Sequence, residues 1–221
     1  MSVIGTIDIP AALAAVAKRP PGAGTSQNTR STALEMIGRE SLARAAFSYR
    51  IAPVQRVCGD VLDFGAGTLR VPALVDVATG LTSIAAVVCT LGAAFGVRVS
   101  TLCTERRLSL AFVLDELGNE LLMYTVRQAL LQIRRDARRS GESSGSSFSP
   151  GCSGFALDQQ GAVVALAGGE CQGISVTSQG MLHPVKSRSM IIPVGPGLTA
   201  QPLHKRCATC SSRKQCRYRG L

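Results

Sequence analysis

A chain of 221 residues with 46% hydrophobic content can bury a sizeable core as one domain, which excludes wholesale disorder. Aromatics are only 4% and Trp is absent, so the core must be built from Ala, Val, Leu and Ile; no apolar run reaches the roughly 18 residues that would span a bilayer. The net charge is +10, and eight cysteines without a recognisable secretion signal point to a reducing, cytoplasmic setting in which thiols serve metals, redox chemistry or packing.

Residues 1–30 are rich in Ala, Gly, Pro and Thr, include Arg19-Pro-Pro-Gly22, and read as a flexible N-terminal arm. Ser31-Thr32 can cap a helix running to about Tyr49, with Leu34, Ile37 and Leu42 on its apolar face. Short strands are expected near Val57–Leu62 and Leu69–Val71, parted by Gly65-Ala-Gly67. A helix from about Pro72 leads to Ile84-Ala-Ala-Val-Val-Cys89, the pattern of a buried strand. Thr90-Leu91-Gly92 then ends that strand and opens another helix.

Leu108 to Arg138 is the longest helical stretch. Leu110, Leu114, Leu117, Leu121, Leu122, Thr125, Leu130 and Ile133 approximate one apolar stripe. Ser140–Ser147 reads as a low-complexity linker. Beyond it come a Pro-Gly loop, a short helix near Ala156–Leu166, a strand at Ile174–Thr177 and extended segments near Ser187–Val194. Irregular alternation of strands with long helices predicts an α+β fold, with a mostly antiparallel twisted sheet over residues 31–200. Residues 201–221 form a basic Cys-rich C-terminal tail.

Most local motifs read as structure. Gly65-Ala-Gly67 lacks the third glycine of a dinucleotide fingerprint, and no G-x-x-x-x-G-K-[ST] loop occurs. With two histidines, no Ser/His/Asp triad stands out. Asp115, Glu116 and Glu120 lie on the long helix, where solvent-facing carboxylates are the common case. Cys58, Cys89 and Cys103 sit among apolar residues and read as packing thiols. Cys152, in a Gly/Ser loop, is the better candidate for a reactive thiol or a remote fourth metal ligand. Arg127, Arg134, Arg135, Arg138 and Arg139 read as a solvated face.

The tail carries the sharpest spacing. Cys207, Cys210 and Cys216 form a C-x2-C-x5-C array, and His204 could complete a His/Cys3 ligand set for zinc; an iron–sulfur cluster is the other candidate occupant. Six basic residues from Leu203 to Leu221, with no acid, surround those thiols.

Several patterns coincide in order and spacing, and together the chain resembles small stand-alone relatives of the activation domain of cobalamin-dependent methionine synthase. They are Ala33-Leu-Glu-Met-Ile-Gly38, Val87-Val-Cys-Thr-Leu-Gly92, the long helix with Asp115, Gly118 and Glu120, Phe148-Ser149-Pro150-Gly151-Cys152, Ile174-Ser-Val-Thr-Ser-Gln-Gly-Met181, Pro184-Val-Lys-Ser187 and the Cys tail. The resemblance implies an activation-domain-like fold and S-adenosylmethionine bound at Ser149, Pro150, Gly151 and Cys152. It also implies an accessory, methyltransferase-related role in one-carbon metabolism: reductive remethylation of a cobalamin on a partner methyltransferase or corrinoid protein. A D-x-H-x-x-G cobalt-ligating motif is absent, so the cobalamin would belong to the partner.

The departures fall at the implied site. Ser147, Cys152, Gly154 and Ser178 stand where the family has Arg, Tyr, Asp and Glu. A serine lacks the charge and fork of an arginine, the natural partner of an amino-acid carboxylate. Two alternatives therefore stand beside the accessory role. One is a non-enzymatic scaffold with a metal- or cluster-binding tail that has lost the donor site. The other is a nucleic-acid-binding module using the basic Cys tail, which a shortage of stacking aromatics disfavours.

Overall fold

The computed structural model describes residues 2–22, 24–65, 67–77, 79–152, 154–199 and 214. Its strands and helices are β1 (Val3–Thr6), α1 (Ile9–Ala17), α2 (Gln27–Arg39), β2 (Ala46–Pro53), β3 (Arg56–Cys58), β4 (Val61–Asp63), β5 (Thr68–Arg70), β6 (Ser83–Thr90), α3 (Ala94–Thr104), α4 (Leu108–Arg139), β7 (Ser143–Ser144), α5 (Gln160–Ala167), β8 (Ser175–Val176), β9 (Leu182–His183) and β10 (Ser187–Gly195).

Among the described residues the central sheet has the order β1-β2-β6-β10-β7, and every pairing in it is antiparallel. The expected α+β class with a mostly antiparallel sheet is what forms. Strand β6 is at its centre, flanked by β2 with Tyr49 opposite Val87 and by β10 with Met190 opposite Val87. Its alternate side chains enter two different cores. Ala85, Val87 and Cys89 face a layer built from α1, α2, α3 and α4, together with Met190, Ile192 and Val194 of β10. Ile84, Ala86 and Val88 face a second core containing Val163, Val164 and Ala167 of α5, Phe155, and Leu62 and Leu69 of the small β3-β4-β5 sheet. Burial on both faces explains why β6 is an unbroken apolar run rather than an alternating one.

Helix α4 runs for 32 residues, about 48 Å at 1.5 Å per residue, and crosses the sheet. Of the predicted stripe, Leu110, Leu114, Leu117, Leu121, Leu122, Thr125 and Ile133 are buried, and Leu130 packs at the margin. Gly118 lets α3 approach: a Cβ there would lie 2.6 Å from Phe95 Cε1.

Four expectations are corrected. The described residues among 1–30 are not an arm. Strand β1 pairs with β2, Val3 opposite Tyr49, and α1 is capped by Asp8 and buries Ala12 and Val16 in the helical core. Helix α2 starts at the Ser26 cap, whose hydroxyl accepts from the Thr29 N–H at 3.1 Å, rather than at Ser31, and it ends at Arg39, so that Ala46–Tyr49, expected as the end of that helix, belongs to strand β2. The Ser140–Ser147 segment is no linker: Ser143–Ser144 forms the edge strand β7, and the Gly145 N–H donates to the Pro193 carbonyl at 2.8 Å. Finally, Ser175–Val176 joins a separate ribbon with β9 instead of the central sheet, because the chain turns back through Thr177–Met181 after two residues.

Candidate functional site

The Ser149–Cys152 loop is held at both ends, one against β10 and the other in the second core. Phe148 and Ile191 exchange two backbone hydrogen bonds, both 2.8 Å, which ties the loop's start to β10. The Cys152 N–H donates to the Ser149 carbonyl at 3.1 Å, closing a tight turn over Pro150 and Gly151. Proline pre-sets the first central torsion of such a turn, and Gly151, at φ +84, supplies the left-handed second one. Phe155, buried in the second core, anchors the far end, and the Gly151 N–H reaches its carbonyl at 2.9 Å.

A second turn stands beside the first. In Thr177–Met181 the Met181 N–H donates to Thr177 Oγ1 at 3.1 Å, and the Gly180 N–H donates to the Thr177 carbonyl at 2.9 Å. Leu157 lies between the turns. A Cβ built on Gly151 would come 3.4 Å from Leu157 Cδ1, and one built on Gly180 would come 3.2 Å from Leu157 Cγ. The first turn walls a cleft of about 630 Å³, lined by Arg70, Pro72, Cys152, Phe155, Leu157 and Gln159 among others.

On the α4 side the loop meets a polar ladder. Asp115, Asn119 and Met123 follow one another at four-residue spacing along one face of α4. Lys186, just before β10, places Nζ 2.7 Å from Asp115 Oδ1 and 2.7 Å from Asn119 Oδ1. Two residues on, Arg188 lies on the same face of the strand; its Nη1–H points at Met123 Sδ at 3.2 Å, and its Nη2–H reaches Ser149 Oγ at 3.4 Å. Just after Lys186, the Ser187 hydroxyl bonds Thr90 Oγ1 at 2.9 Å, which in turn accepts from the Gly92 N–H at 3.0 Å. This network joins the end of β6 to the start of β10.

The structure thus groups Ser149, Pro150, Gly151 and Cys152, and adds two cationic residues to their surroundings. Lys186 was visible in the sequence as part of Pro184–Ser187. Arg188 was missed; alternation along the strand from Lys186 would have found it. Glu120 is not solvent-facing but buried against Arg30, whereas Asp115 is paired to Lys186. Cys58 and Cys103 are exposed rather than packed, while Cys89 is buried as expected, which pushes its thiol up to about 12. Arg127, Arg134, Arg135, Arg138 and Arg139 form an exposed face.

His204, Cys207, Cys210 and Cys216 lie outside the described residues. Among those described, no group of three or more His, Cys, Asp or Glu side chains could hold a metal ion, and no helix is long and apolar enough to cross a membrane.

In sequence, the chain matches no family model and no curated protein. In structure, it is similar to the MetH reactivation domain bound to AdoHcy. The TM-score is 0.66 at 11% identity, over 89% of this chain and 79% of that one. The chain therefore has the fold of that reactivation domain.

Proposed function

We propose that this protein is an accessory factor of cobalamin-dependent methyl transfer. In this reading it binds S-adenosylmethionine, or the demethylated product S-adenosylhomocysteine, at Ser149–Cys152. Binding there supports reductive remethylation of a cobalamin held by a partner methyltransferase or corrinoid protein.

The observation that carries the reading is the pinned Ser149–Cys152 turn, at the sheet edge of a fold whose solved counterpart binds AdoHcy. The residues fit such a ligand. Gly151 keeps the backbone open to close approach. Leu157 offers apolar surface between the two turns, and the Ser149 hydroxyl and the Arg188 guanidinium offer polar contacts beside them. S-adenosylmethionine would supply the methyl group; the turn would orient its sulfonium, and Leu157 would limit water there. The cobalamin and the low-potential electron would come from the partner system.

Calorimetric titration with both adenosyl compounds tests the reading. Binding with a dissociation constant below about 1 mM, or roughly −4 kcal/mol, supports it. No heat at millimolar ligand would instead favour a scaffold that has kept the fold and lost the ligand, for which Ser147 and Cys152 are the supporting residues.

A further inference from the structure

The C-terminal part of α4 carries Arg127, Arg134, Arg135, Arg138 and Arg139 against a single acid, Asp136. That carboxylate is already engaged: it accepts from the Tyr49 hydroxyl and the Gln132 amide, and Arg139 pairs with it at 3.1 Å. Among the described residues this is the one ion pair of the stretch, so Arg127, Arg134, Arg135 and Arg138 project into solvent with no acid beside them. Arg127, Arg134 and Arg138 fall on one face of the helix, with exposed Leu131 between them, while Ala129, Ile133 and Ala137 bury the opposite face in the core. The helix macrodipole favours cations in the last turn, which accounts for Arg138 and Arg139 but not for Arg127 or Arg134, more than a turn from the end. Arg134 and Arg138, four apart, repel each other, as do Arg135 and Arg139. The free helix bears that repulsion, and an anionic partner would relieve it.

We propose that this face of α4 docks an acidic helix of a partner protein; the inference goes beyond the adenosyl reading and stands or falls without it. The spacing selects the partner. Arg127 and Arg134 are seven residues apart and Arg134 and Arg138 four, about 10.5 Å and about 6 Å along the axis. A second α-helix has the same rise, so glutamates at the same intervals on one of its faces meet all three arginines together. A leucine of the partner at the position matching Leu131 would bury that exposed side chain in the seam. A nucleic-acid strand presents one repeated phosphate spacing and offers Leu131 nothing apolar at its phosphates. The planar guanidinium fork matches a carboxylate, and every cation on this face is an arginine. With the apolar side of α4 already used by the core, the attraction is mainly electrostatic, so it should speed encounter and weaken with salt.

The test titrates the full chain, at low ionic strength, with a synthetic helical peptide of pattern Glu-x3-Leu-x2-Glu-x3-Glu and with its reversed-order counterpart, since either helix direction matches the spacing. A peptide of the same composition with those residues spread around the helix, and an oligouridylate, are titrated beside them. One patterned peptide should bind with a dissociation constant of about 100 μM or tighter, and the spread peptide at least roughly fivefold more weakly. Replacing Arg127, Arg134 and Arg138 together by Gln should weaken the patterned peptide roughly tenfold or more, whereas replacing the exposed Arg44, Arg50 and Arg56 by Gln, the same change in charge, should shift it less than about twofold. Equal losses in the two triple variants would show bulk charge at work and overturn the proposal. So would equal binding of patterned and spread peptides, a comparison that needs no variant, or the absence of binding by either patterned peptide. Tighter binding of the oligouridylate, lost in the α4 triple variant, would overturn it in favour of a nucleic-acid interface.

Discussion

Arg30 of α2 and Glu120 of α4 form a buried two-pronged ion pair, with Nη1 to Oε1 at 3.3 Å and Nη2 to Oε2 at 2.8 Å. The Arg30 Nη2 also donates to the Val16 carbonyl at 3.0 Å, so one guanidinium joins α1, α2 and α4. Its Nε has no hydrogen-bond partner among the described residues. Removing one member strands a buried charge, which typically costs about 3–5 kcal/mol, whereas replacing both with apolar residues of similar volume is often near neutral. Glu120→Leu alone should therefore lower the urea midpoint strongly, and Arg30→Met with Glu120→Leu should recover most of the loss. A double variant no more stable than the single one would contradict this.

Gly118 is predicted to resist substitution despite its helical setting. Ala at an exposed helix position gains about 1 kcal/mol over Gly. Here the new methyl would meet Phe95 Cε1 at 2.6 Å and Lys186 Cε at 3.1 Å, both in the packed contact between α3, α4 and the start of β10. Overpacking typically costs about 1–3 kcal/mol, so Gly118→Ala should be destabilising on balance. Thermal unfolding checks the sign, and an increase in Tm would show that Phe95 yields easily.

Cys89 gives a pH signature. Burial raises its thiol to about 12, with Arg188 opposing more weakly. In the unfolded chain a thiol titrates near ~8.5. The folded state therefore holds the proton that the unfolded state loses, and the contribution of Cys89 is present below the unfolded value and is lost as pH rises toward about 12. Cys89→Ala should lose core packing at neutral pH, yet its stability should fall less between neutral and alkaline pH than that of the unaltered chain. Parallel fall-off in both would contradict the buried-thiol account. By the same logic, exposed Cys58, Cys103, Cys152 and Cys171 should be alkylated in the native state and Cys89 only on unfolding, as peptide mass spectrometry would read.

The elements most legible in the sequence were those with long, uninterrupted patterns. Helix α4 follows its leucine stripe to within a residue, and β6 announced itself by seven consecutive buried side chains, Ile84 to Thr90. Strand β1 and α1 were hidden because an Ala-, Gly- and Pro-rich composition resembles a disordered arm, and because β1 is stabilised by pairing with Ala46–Tyr49, far along the chain. The Ser/Gly run at 140–147 was hidden for the same reason: β7 depends on its partners Val194 and Gly195 and has little propensity of its own. At the candidate site, Pro150-Gly151 was legible as a turn because its residue types impose one. Arg188 was not, since its relevance comes from which residue of β10 faces Ser149 and Met123, a fact of register and helix position.

The central claim is that an adenosyl ligand sits at the Ser149 turn, and amide-shift mapping by NMR tests it most directly. Isotope-labelled protein titrated with S-adenosylhomocysteine should show saturating shifts concentrated at Ser149, Gly151, Cys152, Gly180 and Arg188, with α1 and the β3-β4-β5 sheet unmoved. Shifts centred instead on Arg70 and Gln159 in the neighbouring cleft, or no shift at millimolar ligand, would contradict the account.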